Sequence, residues 1–435
     1  MELKPGYKLT ELGTIPKDWR TPELGGILKS MQLGGNYKNS GRETNWPLIK
    51  MGNLGRGSIK LDKLEFIDTS QPPSVRDRLE KEDILFNTRN TLELVGKVAI
   101  WRNELPEAYF NSNIMRMDFD KEWVSSPSFM NYILNTPQAL KSLRGVAIGT
   151  TSVAAIYSRD LVKIKIPLPT KTEQEAIADV LSGADTLIES LEQLIAKKRQ
   201  VKQGAMQELL TGKRRLPGFG NGKQSYRQTK FGMMPSDWTP TPLKQVSSFI
   251  TKGSTPTTYG FSWQNDGVLF LRSECVSEHG LDLSQSMFIS NAAHQFLRRS
   301  EVQSGDILMT ITGNVGRVIL LGNDLSTANI NQHIARIRIN NDQIAATFLF
   351  HFLSQPMVRR YYNLITTGQA YPQISLSQVR ETEVPMPQFD EQIAIVEILS
   401  DMDTEIAALE TKLTKARQIK QGMMQELLTG RIRLL

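Results

Sequence analysis

The chain has 435 residues and is 40% hydrophobic, so it is long enough to bury more than one core. Its 52 Lys and Arg residues outnumber the 45 Asp and Glu residues, a formal charge of +7 that permits nucleic-acid binding without requiring it. The single cysteine, Cys275, excludes an intrachain disulfide, and the lack of a signal peptide or of an apolar run near about 18 residues favours a soluble, cytoplasmic protein.

Residues 1–169 are predicted to form a first globular domain of the α+β class. Apolar and β-branched runs separated by Gly, Asn and Pro predict short strands at 46–51, 83–87 and 95–100. A helix is expected over about 127–143, followed by a loop rich in Gly and Thr. We interpret this pattern as a twisted, mostly antiparallel sheet packed against helices.

Residues 170–217 are predicted to form a long helix with a narrow apolar seam. Its apolar positions recur at steps of four and three, at Ile177, Leu181, Ala184, Ile188, Leu191 and Ile195. Thr172 followed by Glu175 matches a capping box, and Gly212 stands where a glycine would end the helix. About 40 residues at about 1.5 Å each give a rod of roughly 60 Å.

The second half of the chain repeats this plan. Residues 420–430 differ from residues 202–212 at one position only, and the match extends backwards without a gap at an offset of 218 (420 − 202). We therefore predict a second domain at 218–387 that resembles the first, and a second long helix at 388–435.

The second long helix has the same seam as the first. Its apolar positions are Ile395, Leu399, Met402, Ile406, Leu409 and Leu413. Asp390 is a candidate N-cap, and Gly430 stands at the end of the helix as Gly212 does in the first copy. A narrow seam of this kind is typical of a helix that packs against another helix.

Charge is distributed alike along both helices. The acidic first halves contain Glu173, Glu175, Asp179, Asp185, Glu189 and Glu192 in one helix, and Glu391, Glu397, Asp401, Asp403, Glu405 and Glu410 in the other. The basic second halves contain Lys197, Lys198, Arg199 and Lys202, and Lys412, Lys415, Arg417 and Lys420. Because only an antiparallel pair sets opposite charges together, we predict an antiparallel, coiled-coil-like pair with a domain near each end, in a pseudo-two-fold cyclic arrangement. The alternative is a homodimeric coiled coil.

Motifs for catalysis are missing from the sequence. It contains no phosphate-binding loop and no nucleophile elbow, and its four histidines are too scattered to suggest a metal site. The pair Pro72-Pro73 lacks the flanking residues of the motif with which DNA amino-methyltransferases hold a flipped base. We therefore predict no catalytic and no metal-binding residues, which favours a recognition or adaptor protein. The alternatives are an enzyme with an unrecognised site and a dimeric scaffold that ignores DNA.

The doubled arrangement resembles the specificity subunit of type I restriction-modification enzymes over essentially the whole chain. In that family each long helix is preceded by Pro-x-Pro, begins with Glu-Gln and ends with Gln-Glu-Leu-Leu-Thr-Gly. The matching segments are Pro167–Pro169, Glu173-Gln174 and Gln207–Gly212 in the first copy, and Pro385–Pro387, Glu391-Gln392 and Gln425–Gly430 in the second.

The resemblance implies a function and a set of partners. Each domain would be a target recognition domain for one half of a bipartite DNA sequence, and the helices would set the gap and dock two modification subunits. Those subunits would bind S-adenosylmethionine and methylate adenine, and motor-nuclease subunits that use ATP and Mg²⁺ would join through them. The resemblance implies no cofactor, catalytic activity or membrane contact for this chain.

Candidate contact residues follow from this expectation. Basic, amide and hydroxyl residues in glycine-rich loops are suited to DNA phosphates and base edges. In the first domain these are Lys38, Arg42, Arg56, Arg89, Asn90, Thr150 and Thr151, and in the second Lys252, Thr255, Arg272, Arg317, Gln369 and Tyr371. For each, the alternative is an ordinary solvated loop residue. Apolar residues outside the helix seam, which would either face the modification subunits or widen the seam, are Val180, Leu187, Leu194 and Val201.

Overall fold

The computed structural model describes residues 5–220, 225–278, 280–339, 342–368 and 371–434. The chain divides into two compact units, unit 1 with Met1–Glu192 and Thr411–Leu435, and unit 2 with Gln193–Glu410. Each unit therefore combines one globular body with segments of two long helices. In the described ranges, every helix is too short or too polar to cross a membrane.

Unit 1 is built from short strands and few helices. Its strands are β1 (Tyr7–Thr10), β2 (Gly13–Pro16), β3 (Leu28–Leu33), β4 (Asn39–Ser40), β5 (Pro47–Ile49), β6 (Glu65–Ile67), β7 (Ile84–Asn87), β8 (Arg89–Asn90), β9 (Val98–Ile100), β10 (Tyr109–Phe110), β11 (Ile114–Phe119), β12 (Ile148–Gly149) and β13 (Ala154–Ala155). Its helices are α1 (Pro127–Leu134), α2 (Pro137–Gly145), α3 (Ser158–Leu161) and the first part of α4 (Lys171–Leu209), with 3-10 turns at Leu24–Gly26 and Val75–Asp77.

The body of unit 1 contains two four-stranded sheets, ordered β3-β11-β7-β9 and β10-β5-β6-β4. The pairs are antiparallel except β5 with β10, which confirms the predicted mostly antiparallel sheet. The main core contains Ile177 and Leu181 from the start of α4 and Leu427 and Leu428 from the end of the chain. Each of these four side chains is less than 5% exposed, so the long helices contribute directly to this core.

Unit 2 has the same kinds of elements. Its strands are β14 (Tyr226–Thr229), β15 (Gly232–Pro235), β16 (Thr239–Pro242), β17 (Ser247–Lys252), β18 (Val268–Leu271), β19 (Val276–Ser277), β20 (Gly280–Leu281), β21 (Met287–Ile289), β22 (Glu301–Val302), β23 (Ile307–Thr310), β24 (Val318–Leu320), β25 (Ala328–Ile330), β26 (Ile334–Ile339) and β27 (Glu383–Met386). Its helices are α5 (Leu243–Val246), α6 (Asn291–Phe296), α7 (Ala346–Leu353), α8 (Pro356–Ile365), α9 (Leu376–Arg380) and the first part of α10 (Phe389–Leu427). The 3-10 turns are Pro256–Tyr259, Ser273–Cys275, Leu283–Gln285 and Arg298–Ser300.

Unit 2 also has two four-stranded sheets, but the parallel pair lies in the middle of its second sheet and at the edge of the corresponding sheet of unit 1. The orders in unit 2 are β17-β26-β23-β24 and β21-β18-β25-β22, and again one pair, β18 with β25, is parallel. The core contains Leu209 and Leu210 from the end of α4 and Ile395 and Leu399 from the start of α10. Both units thus use the start of one long helix and the end of the other, which agrees with the predicted repeat.

The helix predicted over 127–143 is in fact two helices. Pro137 has no N–H to donate and disfavours a helical conformation at Thr136, so α1 ends before it. Thr136 then caps α2, because its hydroxyl accepts a hydrogen bond from the backbone N–H of Ala139. The same break separates α7 from α8 at Pro356 in unit 2.

The two long helices each contain 39 residues, about 58 Å at about 1.5 Å per residue. The predicted seam residues of both helices are buried or half-buried. The predicted caps were wrong by one or two residues. The backbone N–H of Glu173 donates to Thr170 Oγ1 at 3.4 Å, so Thr170 rather than Thr172 caps α4. Asp390 lies in the first turn of α10 rather than before it, because the helix begins at Phe389.

Ion pairs show that the helix segments run antiparallel in each unit. In unit 1, Arg417 pairs with Glu192 at 2.5 Å, and Lys420 pairs with Asp185. In unit 2, the pairs join basic residues of α4 to acidic residues of α10: Lys198 with Glu405 at 2.6 Å, Arg199 with Glu410 at 2.5 Å and Lys202 with Asp403 at 2.5 Å. The direction predicted from the charge pattern is confirmed, and the partner segment belongs to the same chain. Each exposed pair is worth less than about 1 kcal/mol, so the pairs select the direction more than they add stability.

Both long helices end in a tight turn at glycine. Gly212 and Gly430 both have φ of +68°, a left-handed conformation that favours glycine. A Cβ atom at Gly430 would stand 2.4 Å from Pro16 Cγ, and one at Gly212 would stand 2.4 Å from Pro235 Cγ. The repeated glycine is therefore required by its conformation and by the close approach of the proline.

An arginine just past each turn binds the start of the other long helix. In unit 1, Arg433 donates to both carboxylate oxygens of Glu173 at 2.6 and 2.8 Å and to Asp18 at 2.7 and 3.0 Å. The Trp19 indole also donates to Glu173, at 3.0 Å. Unit 2 has the same contacts among Arg215, Glu391, Asp237 and Trp238, at 2.6–3.1 Å. These hydrogen bonds hold Trp19 and Trp238 to the long helices.

In each unit, a shorter helix of the body lies next to the ion pairs between the long helices. This helix is α1 in unit 1 and α7 in unit 2. In unit 1, the Tyr132 hydroxyl donates to Asp185 at 2.7 Å. In unit 2, the matching position is His351, which lies close to Lys202 and Asp403. Burial, assisted by the positive charge of Lys202, lowers the pKa of His351 to about 4.

This pKa predicts an acid-sensitive step in the stability of unit 2. Because the folded-state pKa of His351 lies below its ordinary value of 6.5, the unfolded chain binds the proton first as the pH falls. Unit 2 should therefore lose up to about 3 kcal/mol of stability between about pH 6.5 and about pH 4. We expect the free energy of unfolding of His351→Phe to lack this decrease, as measured by urea unfolding across the same pH range. A difference between wild type and variant that is constant with pH would contradict the prediction.

Candidate nucleic-acid interface

Within the described ranges, no group of three His, Cys, Asp or Glu side chains is arranged to hold a metal ion. Cys275 is buried, and burial raises the pKa of its thiol, which makes it a poor nucleophile. His294 is also buried, and its Nδ1 lies 2.7 Å from Asn329 Oδ1 within a structural network. The predicted DNA contacts that the structure describes lie in and beside the loops around the sheets.

Four of the predicted DNA contacts in unit 1 lie together on one small sheet, ordered β12-β13-β8. Arg89 and Asn90 form β8 and pair with Ala155 and Ala154 of β13. Thr150 and Thr151 lie in the turn between β12 and β13, and the backbone of Thr151 accepts a hydrogen bond from Leu92, just after β8. The Asn90 side chain is half-buried and the other three are exposed, an arrangement suited to contacts with a large ligand.

Arg56 joins this region from another part of the chain. Its guanidinium donates to the backbone carbonyl of Glu93 at 3.1 Å, three residues after Asn90. Lys38 and Arg42 lie instead by strand β4, where no hydrogen bond or ion pair in the described part of the chain links them to the small sheet. Hydrogen bonds from Ser70, and then the charges of Lys38 and Arg42, lower the pKa of Asp68.

Three of the predicted contacts in unit 2 lie around one turn. Lys252 ends β17, and the next residue, Gly253, donates its N–H to Asn331 at 3.1 Å. Thr255 donates to Gln332 Oε1 at 2.5 Å, and the ring of Tyr371 lies 6.3 Å from that of His333. These three predicted residues therefore surround the turn between β25 and β26.

The sequence interpretation missed Gln332 and His333, which stand at the centre of that group. Gln332 Nε2 lies 3.0 Å from His333 Nε2, so the two side chains form a polar pair on the turn. The signal was present as the run Asn331-Gln332-His333 between two apolar strands. A short polar run between two strands predicts a turn. Which other loops lie next to that turn depends on strand pairing.

Arg272 also follows a strand that ends beside the turn between β25 and β26, because Asn331 donates its N–H to the carbonyl of the preceding residue, Leu271, at 3.0 Å. Arg272 is half-buried, and its Nε donates to the backbone carbonyl of Gln285 at 3.2 Å, which commits part of the guanidinium to the fold. Arg317 Nε is buried and has no hydrogen-bond partner among the described residues. Gln369 lies outside the described residues.

The four apolar residues predicted to face partner subunits are exposed. Val180 is 41%, Leu187 54%, Leu194 38% and Val201 51% exposed, whereas seam residues such as Leu181 are fully buried. They therefore do not widen the seam. Val180 and Leu187 belong to unit 1, and Leu194 and Val201 to unit 2.

Comparison with known families explains the repeated bodies. The model of the type I restriction modification DNA specificity domain matches the chain twice, over residues 16–198 and 235–420. The chain belongs to the type I specificity subunits. The resemblance found from the repeated helix motifs is thereby confirmed.

Several specificity subunits are similar over most of their length. The putative type I restriction enzyme MjaX specificity subunit of Methanocaldococcus jannaschii is 27% identical over 430 residues, covering 98% of this chain and 97% of that protein. The EcoBI specificity subunit of Escherichia coli is 24% identical over 365 residues, covering 77% of this chain and 76% of that protein. At 98% coverage, the match to the M. jannaschii protein includes both bodies and both long helices.

Solved structures agree on the fold. The S subunit of the type I restriction-modification system from M. genitalium has a TM-score of 0.55 at 15% identity, covering 98% of each chain. A chain from a study of complex assembly and conformational transition of the type I R-M system has a TM-score of 0.56 at 16% identity, covering 96% of this chain and 99% of the other. At these identities the likeness establishes the fold of specificity subunits and nothing finer.

Proposed function

We propose that this chain is the non-catalytic specificity subunit of a type I restriction-modification complex, and that each body recognises one half of a bipartite double-stranded DNA target. The observation that carries the proposal is the contrast between the two bodies. Their first four-stranded sheets, long helices and arginine contacts correspond, whereas their polar loops differ in composition and position. Two bodies that share a scaffold but expose different polar groups are suited to two different half-sites.

The loop chemistry supports DNA as the ligand. Asn90 and Gln332 carry amides that can pair with adenine, and Arg89 carries a guanidinium that can pair with guanine. The hydroxyls of Thr150 and Thr151 and the ammonium of Lys252 are suited to backbone phosphates. These groups surround turns on the exposed ends of strands, where a duplex has access to them.

We further propose that the long helices set the gap between half-sites and dock two modification subunits. The exposed apolar side chains on α4 supply a surface for those subunits. S-adenosylmethionine, ATP and Mg²⁺ would then be bound by the modification and motor-nuclease subunits, the latter joining through the modification subunits. The specificity subunit would contribute recognition, orientation and spacing.

The experiment that tests this proposal is to express the chain with its cognate modification subunits and map methylated adenines in the host genome. We expect one bipartite, asymmetric motif with a gap of unspecified bases. A contiguous motif, or methylation by this chain alone, would contradict the proposal.

The spacing role predicts the result of a helix insertion. Four residues inserted after Gln193 add about one turn, or about 6 Å, to α4. We expect the methylated motif to keep both half-sites and to gain unspecified bases between them. A matched variant carries four further residues after Thr411, so that α10 lengthens together with α4. Substitution of Gln193 by Ala is the control for a local effect. An unchanged gap in both insertion variants would contradict the spacing role.

A further inference from the structure

The two bodies carry a cation at the same place in their repeated scaffold. The segment Val95-Gly96-Lys97-Val98 leads into β9, and Val315-Gly316-Arg317-Val318 leads into β24. Both strands lie at one edge of a four-stranded sheet, next to β7 and β23 respectively. The residue type changes between the copies, but its positive charge is kept.

In unit 1 this position belongs to a cluster of cations, which we name the unit 1 basic recess and define as Arg56, Lys60, Lys97 and Arg144. In the described part of the chain none of the four makes an ion pair. Burial, and then the positive charges of Arg56 and Lys60, lower the pKa of Lys97. Burial, and then the charge of Arg144, lower the pKa of Arg56. The charge of Glu93 offsets part of this effect on Arg56. Arg56 and Lys60 therefore repel Lys97, and Arg144 repels Arg56, a cost that a bound anion would lower.

In unit 2 the corresponding cation, Arg317, lines a cavity. This cavity has a volume of about 680 Å³, and Arg317, Arg359 and Arg360 line it together with Lys202. We name these three arginines the unit 2 basic recess. Arg359 pairs with Glu278, and Lys202 pairs with Asp403, which also line the cavity. The Arg317 side chain is half-buried, and among the described residues its Nε has no hydrogen-bond partner, so one donor of this recess is left unsatisfied by the protein.

We propose that the two basic recesses bind backbone phosphates of the DNA duplex, one stretch of backbone at each body. The proposal rests on the proposed function and assigns it additional residues: Lys60, Lys97, Arg144, Arg359 and Arg360. A lysine in one copy and an arginine in the other can serve the same purpose, because a phosphate needs only a positive donor at the right place. Recognition of a base edge would instead depend on the particular side chain.

The surroundings favour DNA over an acidic protein segment. In unit 1, Arg144 lines the same surface depression as Thr91, Glu93 and Thr151. Arg56 donates to the backbone carbonyl of Glu93 at 3.1 Å. Thr91 and Thr151 lie beside the polar loops proposed to recognise bases. A duplex presents phosphates next to its groove edges, so phosphate and base contacts are expected to be adjacent. The presence of a basic recess in each body also matches a ligand whose backbone is the same at both half-sites.

The test measures DNA binding by the complex of this chain with its cognate modification subunits, over a range of salt concentrations. The variants are Lys97→Ala, Arg317→Ala and the double substitution. Affinity for B-DNA varies as the salt concentration to the power of about −0.9 per phosphate contact. Each single substitution is therefore expected to weaken binding about five-fold at 0.15 M salt and to reduce the log–log slope by about one. Specific and non-specific duplexes should weaken alike.

Matched variants separate the possible outcomes. Lys97→Arg and Arg317→Lys should restore affinity and slope, whereas Lys121→Ala, which removes an exposed lysine elsewhere in unit 1, should change neither. Unchanged slopes in Lys97→Ala and Arg317→Ala would overturn the proposal. Loss of assembly with the modification subunits in these variants would also overturn it, because that result would indicate an acidic protein segment as the ligand. A wild-type complex that does not bind DNA would instead refute the proposed function.

Discussion

Replacing Arg433 with alanine is expected to destabilise unit 1 by about 3–5 kcal/mol, the usual cost of removing one partner from a buried ion pair. Glu173 is only 1% exposed, and Arg433 binds both of its carboxylate oxygens. These hydrogen bonds, together with those to Asp18, raise the pKa of Arg433. Without the guanidinium, Glu173 keeps the Trp19 indole as a donor but loses its neutralising charge. Chemical unfolding followed by tryptophan fluorescence measures the change.

The control is Arg431→Ala, two residues away on the same segment. The Arg431 side chain is 58% exposed and pairs only with Glu426, at 3.2 Å, so its loss should cost less than about 1 kcal/mol. The double variant Arg433→Met with Glu173→Gln removes both charges and should recover most of the stability lost in Arg433→Ala. Equal effects of Arg433→Ala and Arg431→Ala would show that the contact with Glu173 is not stabilising.

Two acidic substitutions on α4, Leu187→Glu and Leu194→Glu, are expected together to weaken assembly with the modification subunits by about 100-fold or more. Apolar residues at the centre of an interface are often worth about 2 kcal/mol each, and a buried, unpaired carboxylate adds a further cost. Both side chains are exposed in this chain, so the fold itself should tolerate the changes. Sedimentation or native mass spectrometry of mixed subunits measures the affinity.

Thr186→Glu with Gln193→Glu is the matched control. Each residue immediately precedes one of the two leucines, is exposed, and carries the new charge about 100° around the helix axis. The same charge at these positions should leave assembly within a few-fold of wild type. If the leucine variants assemble as wild type does, the exposed apolar residues of α4 do not dock the modification subunits.

The long helices were the most predictable part of the fold, because periodicity and charge are local properties of the sequence. The seam from Ile177 to Ile195 is buried or half-buried as predicted, and the ion pairs run in the predicted direction. Their exact starts were less predictable. Thr170 and Thr172 are both suitable caps by residue type, and the choice depends on how Glu173 and the residue after it, Gln174, are held by the body.

The candidate site was predictable in its residue types but not in its grouping. Arg89 and Thr150 are far apart in sequence, and pairing of β8 with β13 brings their loops together. Lys38 is basic like Arg89, but it immediately precedes β4, which belongs to a different sheet. Lys97 was included only in the predicted strand at 95–100, since its significance depends on Arg56, Lys60 and Arg144, which come from two other parts of the chain.

The sequence by itself determined that the chain is a duplicated body and helix, and that the helices pair antiparallel, because repeats, periodicity and charge order need no knowledge of distant contacts. Tertiary structure alone decided which loops meet, and it joined Arg433 to Glu173 across 260 residues. It also left Arg317 Nε without a hydrogen-bond partner in the part of the chain that the structure describes. The physical reason is that strand pairing and packing between distant segments determine a side chain's partners, its burial and the electrostatic field around it. Local propensity does not encode these contacts.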